Sequence, residues 1–456
     1  MTADPRIRAA LDETRRRLLS ARTADGAWRG ELSSRALSTA TAVAALARVD
    51  PRAHAAPMAR GVRWLVEHAN ADGGWGDTPQ SRSNLPTTTL VWSALAISPG
   101  REAPSALLAR CEAYLAARCG GLSPEFVARA IVSQYGRDRT FSAPILAMCA
   151  LAGRLGERPS DAWALVPQLP FELGILPHSL LRAARLPVVS YALPALIAVG
   201  QARDRYHPVA CPLTRVVRRL VARASRNRLE RLQPPGGGFL EAVPLTSFVA
   251  MCLAAMGLRN HPVVARSVAF LQAAQRADGS WPIDTDLSGW VTSLSVRALG
   301  ADGRAALEPA ERDALRAWLL RCQLRARHVF TGASPGGWAW TDQPGGVPDA
   351  DDTAGALLAL HALDDGGDAT ARAARAGVGW LADLQNRDGG VPTFCRGWGR
   401  LPFDRSAPDL TAHALLAWHR WRALGDATIR RRTARALARA AEYLSGAQRA
   451  DGAWIP

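Results

Sequence analysis

Amphipathic stretches recur along the chain, each ending in an aromatic-Leu pair, a turn that often carries Gln, and then Asp-Gly-x-Trp. The phrase reads RRLLSARTADGAWRG at Trp28, GVRWLVEHANADGGWGD at Trp75 and SVAFLQAAQRADGSWPID at Trp281. A diverged copy, AWLLRCQLRARHVFTGASPGGW, ends at Trp338; GVGWLADLQNRDGGV places Val391 where Trp is expected, and AEYLSGAQRADGAW closes the series at Trp454. Between copies lie more uniformly apolar segments such as LSTATAVAALARV and TTTLVWSALAI. Asp-Gly turns between helical periodicities, with no alternating strand pattern, predict an all-α chain of helical hairpins. Repeats of one hairpin each stack into an α/α array. The Gln and Trp of each copy read as staples from one hairpin to the next, Gln capping helix ends and Trp filling the gap.

The repeats fall into two sets separated by an irregular middle. There, the Pro-rich apolar run ALVPQLPFELGILPHSLLRAARLPVVSYALPALIAVG precedes Arg215–Leu232, which sets Val216, Val217, Leu220, Val221 and Leu229 among arginines. Such a segment fits either an anionic membrane surface or a solvated covering helix. The tract Gln233–Phe239, QPPGGGF, reads as a linker.

At 456 residues the chain can hold two domains. The net charge of +16 raises the question of nucleic acid, but every one of the 56 basic positions is arginine, a codon-composition signature. No helix-turn-helix, zinc-finger or aromatic-basic RNA motif accompanies the charge, so nucleic acid is not expected as a partner. Seven scattered cysteines with no C-x-x-C pair argue against a disulfide framework and for a reducing compartment. The polar N-terminus shows no signal peptide, and the longest apolar run is too short to span a bilayer. These features suggest a cytoplasmic protein, soluble or bound to a membrane surface.

One stretch stands apart from the repeat: PGGWAWTDQPGGVPDADDTAGALLALHAL, Pro335–Leu363. Asp349, Asp351 and Asp352 crowd three carboxyls at the start of an apolar helix. Carboxylates this close cannot all ionise cheaply in a dry site, so at least one should hold a proton near neutral pH. A protonated, partly desolvated carboxyl is a general acid. Trp338 and Trp340, just upstream, offer indole faces that stabilise cations without attacking them. The competing reading is helix capping, in which the same aspartates satisfy orphan N–H groups and the helix dipole.

Together these residues make the chain resemble the squalene–hopene cyclase family of triterpene cyclases. The repeat resembles that family's Gln-Trp motif, PDADDTA its D-x-D-D-T-A signature, PGGWAW its aromatic segment and APDLTAH (Ala407–His413) a later E-D-V-T-A-H stretch. The resemblance implies two α/α-barrel domains of helical hairpins: residues 26–284, with an inserted membrane-facing middle segment, and 285–456, with residues 1–25 as an arm packing on the second. Family members continue beyond the repeat that ends here at Pro456, so the second barrel is expected to be incomplete, either because the chain is truncated or with its open edge covered by a homodimer or another partner. The resemblance makes Asp351 the proton donor to a terminal alkene, tuned by Asp349 and Asp352 and backed by His413 and Asp409. Trp340, Trp338, Trp290 and Phe394 would line the cation path, Phe394 standing where the family has a phenol. The implied activity is class II, proton-initiated cyclisation of squalene or a similar linear isoprenoid to a hopanoid-type product, on the inner face of the cell membrane. It calls for no metal and no cofactor.

Other readings remain at this stage. The same acid could serve a bacterial diterpene or meroterpenoid cyclase, or the chain could be a truncated, non-catalytic repeat protein that binds a lipid or partner. Asp364, Asp365 and Asp368 fit a metal-binding D-D-x-x-D as text, although two glycines put them in a turn. Cys395, His413, Asp388 and Asp409 would be the candidates for a prenyltransferase-type zinc site.

Overall fold

A computed structural model describes residues 4–98, 103–136, 138–300, 307–364 and 366–455. Helices dominate, and the sole two-stranded sheet among the described residues pairs Val391–Pro392 with Ser406–Ala407. The chain divides into two compact units: Glu31–Pro177 with Val189–Thr285, and Met1–Gly30 with His178–Val188 and Asp286–Pro456. The short segment His178–Val188 thus groups with the C-terminal residues, an arrangement that a boundary at 284/285 does not contain.

In the unit of Glu31–Pro177 and Val189–Thr285, four inner helices close on one another. Ala36–Val49 packs on Leu85–Ile97, which packs on Arg139–Leu151; Val243–Ala255 touches both Arg139–Leu151 and Ala36–Val49. Ala36–Val49 and Val243–Ala255 are buried nearly all round, which explains why their sequences are apolar on every face and rich in Ala, Ser and Thr. Outer helices such as Ala55–Glu67 bury one stripe only, here Met58, Ala59, Val62, Trp64 and Leu65. In the other unit, inner helices Ser288–Ala298, Ala350–Ala362 and Pro408–Arg420 pack in a row, with Pro309–Cys322, Asp368–Leu384 and Ala427–Ala447 behind.

The repeat residues join the layers by a recurring set of hydrogen bonds. Each staple tryptophan donates its indole N–H to a leucine carbonyl of the preceding outer helix: Trp28 to Leu18 (2.7 Å), Trp75 to Leu65 (2.8 Å), Trp281 to Leu271 (2.7 Å) and Trp338 to Leu319 (2.7 Å). Its backbone N–H donates to a threonine hydroxyl on an inner helix, Thr292, Thr88, Thr39 and Thr353 respectively. Where Val391 replaces Trp the backbone bond persists, to Thr411 at 2.8 Å. The glutamines bridge turn to neighbouring helix: Gln385 donates to the carbonyls of Gly389 and Ala436, Gln275 to those of Gly279 and Pro57. Gly279 has φ +92°, and a Cβ there would collide with the Arg60 carbonyl, so the Asp-Gly turn admits little else.

The linker reading of Gln233–Phe239 is corrected by this pattern. Gln233 donates to the carbonyls of Gly237 and Val263, and the N–H of fully buried Phe239 donates to Thr246. The tract is another staple turn, with Phe in the tryptophan's place. Its glycines and prolines serve the turn rather than a flexible connection.

Replacing Trp281, fully buried, with Phe leaves the Leu271 carbonyl without its donor and should cost about 1–3 kcal/mol. Trp454 makes the same indole bond, to Leu444, but is 46% exposed, so Trp454→Phe should cost much less. Calorimetric melting of both variants tests the staple; equal shifts would mean that the buried indole bond is worth no more than the exposed one.

Candidate active site

The helix Ala350–Ala362 is held at its start by the repeat itself. Trp338 donates its backbone N–H to Thr353, and Asp349 returns its own N–H to the Trp338 carbonyl (3.1 Å). Ala350 N–H donates to the Thr393 carbonyl (2.9 Å), beside the small sheet whose second strand leads into Pro408–Arg420. Asp349 is the N-cap, its carboxylate accepting from Asp352 N–H at 2.8 Å. The capping reading is therefore correct for Asp349.

Asp351, one residue inside the helix, is turned to a different task. Its Oδ1 lies 2.6 Å from Nδ1 of His413, on Pro408–Arg420. Nη1 of Arg297, near the end of Ser288–Ala298, lies 2.8 Å from the other ring nitrogen, Nε2. The three inner helices of this unit thus meet through one line of side chains, Arg297–His413–Asp351. The side chain of Asp351 is 38% exposed while that of His413 is 16% exposed, so the carboxyl keeps an open side.

These surroundings separate the carboxyls. The hydrogen bond from His413 is the main cause holding Asp351 below the ordinary carboxylate range; burial opposes it, and the Trp290 indole and the Arg297 guanidinium add to it. Asp349 moves the other way: burial pushes it up to about 7, against its hydrogen bonds with Asp352 and with the neighbouring Asp351 charge adding to the rise. One carboxyl beside another therefore holds its proton near neutrality, while Asp351 is a strong acid whenever it is protonated.

Aromatic rings flank the acid. Trp290 donates its backbone N–H to the Trp340 carbonyl (3.0 Å), an approach that requires glycine at 289, where a Cβ would strike the backbone of Ala339 and Trp340. Trp340 and Phe394 meet edge-on at 6.4 Å, and Phe394 meets Phe403 at 5.6 Å. Asp351, Asp349, Asp352, His413, Trp290, Trp340 and Phe394 thus all belong to this one unit.

Two candidates lie elsewhere. Trp338 is buried in the core with its indole spent on Leu319, so it is a staple and not a lining residue. Asp409 lies in the first turn of Pro408–Arg420 and is exposed; both nitrogens of His413 are taken by Asp351 and Arg297, and Asp409 forms no hydrogen bond with either. The zinc-site candidates do not converge. Asp388 serves the turn at Gly390 and Ser406, and burial raises the Cys395 thiol far above the range in which a thiolate forms. Asp364 caps its own turn at Gly366, Asp368 starts the following helix, and Asp365 lies outside the described residues.

Arg297 and Phe403 were not legible as site residues. Arg297 sits in SVRALG with no acidic or aromatic motif around it, and Phe403 in a Pro-flanked loop. Only their hydrogen-bond and ring partners identify them.

Two-layered helical hairpins of this kind are the α/α-barrel fold of terpene cyclases. An ent-copalyl diphosphate synthase from Streptomyces platensis superposes with TM-score 0.52 at 19% identity, over 98% of this chain and 76% of that one. An abietadiene synthase from Abies grandis gives 0.54 at 15%, over 98% and 49%. The squalene-hopene cyclase N-terminal domain model matches residues 11–185, and the C-terminal domain model residues 287–456. A squalene–hopene cyclase of Alicyclobacillus acidocaldarius is 24% identical over 531 residues, covering 99% of this chain and 76% of the relative. A squalene hopane cyclase of Aspergillus fumigatus is 25% identical over 77% of this chain and 54% of its own. The chain belongs to the squalene–hopene cyclase family of class II terpene cyclases.

The raised proton affinity of Asp349 has a consequence for stability. A group with a higher pKa folded than unfolded stabilises most below its unfolded value, here about 3.9, and loses that contribution as pH rises through about 7. Thermal midpoints should fall over that window. Asp349→Asn, which keeps the cap, should flatten the profile; a variant profile parallel to that of the wild type would show that Asp349 ionises normally.

Proposed function

We propose that the chain initiates cyclisation of squalene or a similar linear isoprenoid by proton transfer from Asp351, giving a hopanoid-type product. The observation that carries this reading is the 2.6 Å bond from His413 to one oxygen of a carboxyl that remains partly exposed. The O–H bond at Oδ2 breaks as a C–H bond forms at the terminal alkene carbon, leaving a tertiary cation. Successive double bonds then attack, and the last cation loses a proton or captures water. A solvent proton restores the acid.

Alkenes are very weak bases, so the acid must be strong and yet protonated at rest. His413, Trp290 and Arg297 stabilise the conjugate base, which supplies strength. An apolar substrate covering Asp351 removes water from its open side and favours the neutral form before transfer. The faces of Trp290, Trp340 and Phe394 suit the migrating positive charge. Relatives acting on squalene, by their names, favour a triterpene substrate over a diphosphate.

Asp351→Asn should abolish turnover of squalene while leaving the fold intact, since the amide is nearly isosteric but cannot donate this proton. His413→Ala should lower turnover by about 10²-fold or more while leaving a residue of activity. Product analysis by gas chromatography, with geranylgeranyl diphosphate run in parallel, reads both points. Full activity of Asp351→Asn would overturn the acid assignment, and cyclisation of the diphosphate alone the substrate class.

Delivery of so apolar a substrate favours a membrane surface, and the cytoplasmic leaflet is anionic. No described helix is long and apolar enough to cross a membrane. The helix Pro212–Leu232 exposes Leu213 (73%), Val216, Val217 and Leu220 (76%) beside Arg219 and Arg223. Arg218 takes no part: it is buried and paired with Glu172 (3.1 Å) and Asp204 (3.0 Å). Leu229 is likewise core. A Leu213→Glu/Leu220→Glu double variant should lose co-sedimentation with vesicles containing anionic lipid; unchanged binding would count against this surface.

A further inference from the structure

Beside an imidazole, a carboxyl is normally the weaker base. Left to itself, a close Asp–His pair therefore rests as imidazolium and carboxylate, with the shared proton on the ring. That state would disarm an acid that must deliver its proton to an alkene. The surroundings of His413 contain a feature that bears on this, and it rests on the reading of Asp351 as the proton donor.

Arg297 has its Nη1 at 2.8 Å from Nε2 of His413, and Nδ1 of the same ring is 2.6 Å from Asp351. A guanidinium is always protonated and can only donate. Nε2 must then offer its lone pair, so the ring has a single proton, on Nδ1, and donates it to Oδ1 of Asp351. A basic residue in the last turn of Ser288–Ala298 could be explained by the helix dipole alone. That account leaves the side chain free to point anywhere along the helix end, whereas this one is directed across to another helix. Arg297 forms no ion pair with a carboxylate among the described residues, so its charge is not neutralised before it reaches the ring.

We propose that Arg297 is a positioning residue for the acid: by occupying Nε2 it holds His413 in the form with one ring proton, on Nδ1, so that the ring donates to Oδ1 of Asp351 and has no lone pair left to take up the proton that Asp351 delivers. The guanidinium acts twice. It fills the only site where a second ring proton could go, and its charge opposes that proton electrostatically. During transfer the same charge polarises the Nδ1–H bond toward Oδ1, which stabilises the carboxylate that remains.

The test uses the full chain labelled with 15N-histidine, with the His413 signals assigned by difference from a His413→Asn variant. In the wild type at neutral pH, Nδ1 should be protonated and Nε2 not. In Arg297→Met both nitrogens should be protonated, and kcat should fall at least about tenfold with KM little changed. Arg297→Lys, which keeps a charged donor, should restore both the ring state and most of the activity. Arg297 is exposed, so neither substitution threatens the fold. A doubly protonated His413 in the wild type, or a ring state unaltered in Arg297→Met, would overturn the proposal. If the ring responds as expected but Asp351→Asn still cyclises squalene, the role of Arg297 toward the ring stands and the acid assignment alone fails.

Discussion

A backbone N–H donated to a threonine hydroxyl on an inner helix recurs at the head of hairpin after hairpin. Trp28, Trp75, Trp281, Trp338, Val391 and Phe239 all make it, to Thr292, Thr88, Thr39, Thr353, Thr411 and Thr246. A buried N–H must find an acceptor, and a turn entering a helical core has none of its own. The hydroxyl supplies it and, in doing so, sets where each inner helix begins. The side chain above the turn can then vary among Trp, Phe and Val, because the bond belongs to the backbone.

The acid grows out of this scaffold. Thr353 is the residue directly after Asp352, so the staple that anchors Trp338 also fixes the first turn carrying the three aspartates. Thr411, two residues before His413, does the same for the histidine's helix. Asp351 and its partner His413 are thus positioned by two copies of one structural device, on rigid helix starts rather than on loops.

The members of D-A-D-D, open as a group to a capping or a catalytic reading, do not share one role. Asp349 caps the helix, and its burial keeps a proton near neutrality. Asp351, two residues on, faces a different neighbour, and the hydrogen bonds it receives favour the ionised form. The same crowding that makes the motif look like a cap also splits the proton affinities of its carboxyls.

The hairpin array was legible in the chain because helix periodicity and Asp-Gly punctuation record burial and turns locally. The repeat was strong enough to show even where Val391 had replaced Trp. It was weakest where composition misled: QPPGGGF looks like a linker because glycine and proline are read without their hydrogen bonds, yet Gln233 bonds its turn as Gln275 and Gln385 do, and Phe239 makes the backbone bond to threonine. Within the acid motif, residue types implied the chemistry, and the neighbouring Trp338 looked equally suitable until its indole proved to be spent on Leu319. Only the tertiary structure decided the partners. Arg297, Asp351 and His413 come from three helices far apart in the chain, and no local period records which side chain meets which across a packed core. Asp409 shares a helix with His413 and still lies exposed outside the line, because direction around the helix, not sequence proximity, determines which group reaches the acid.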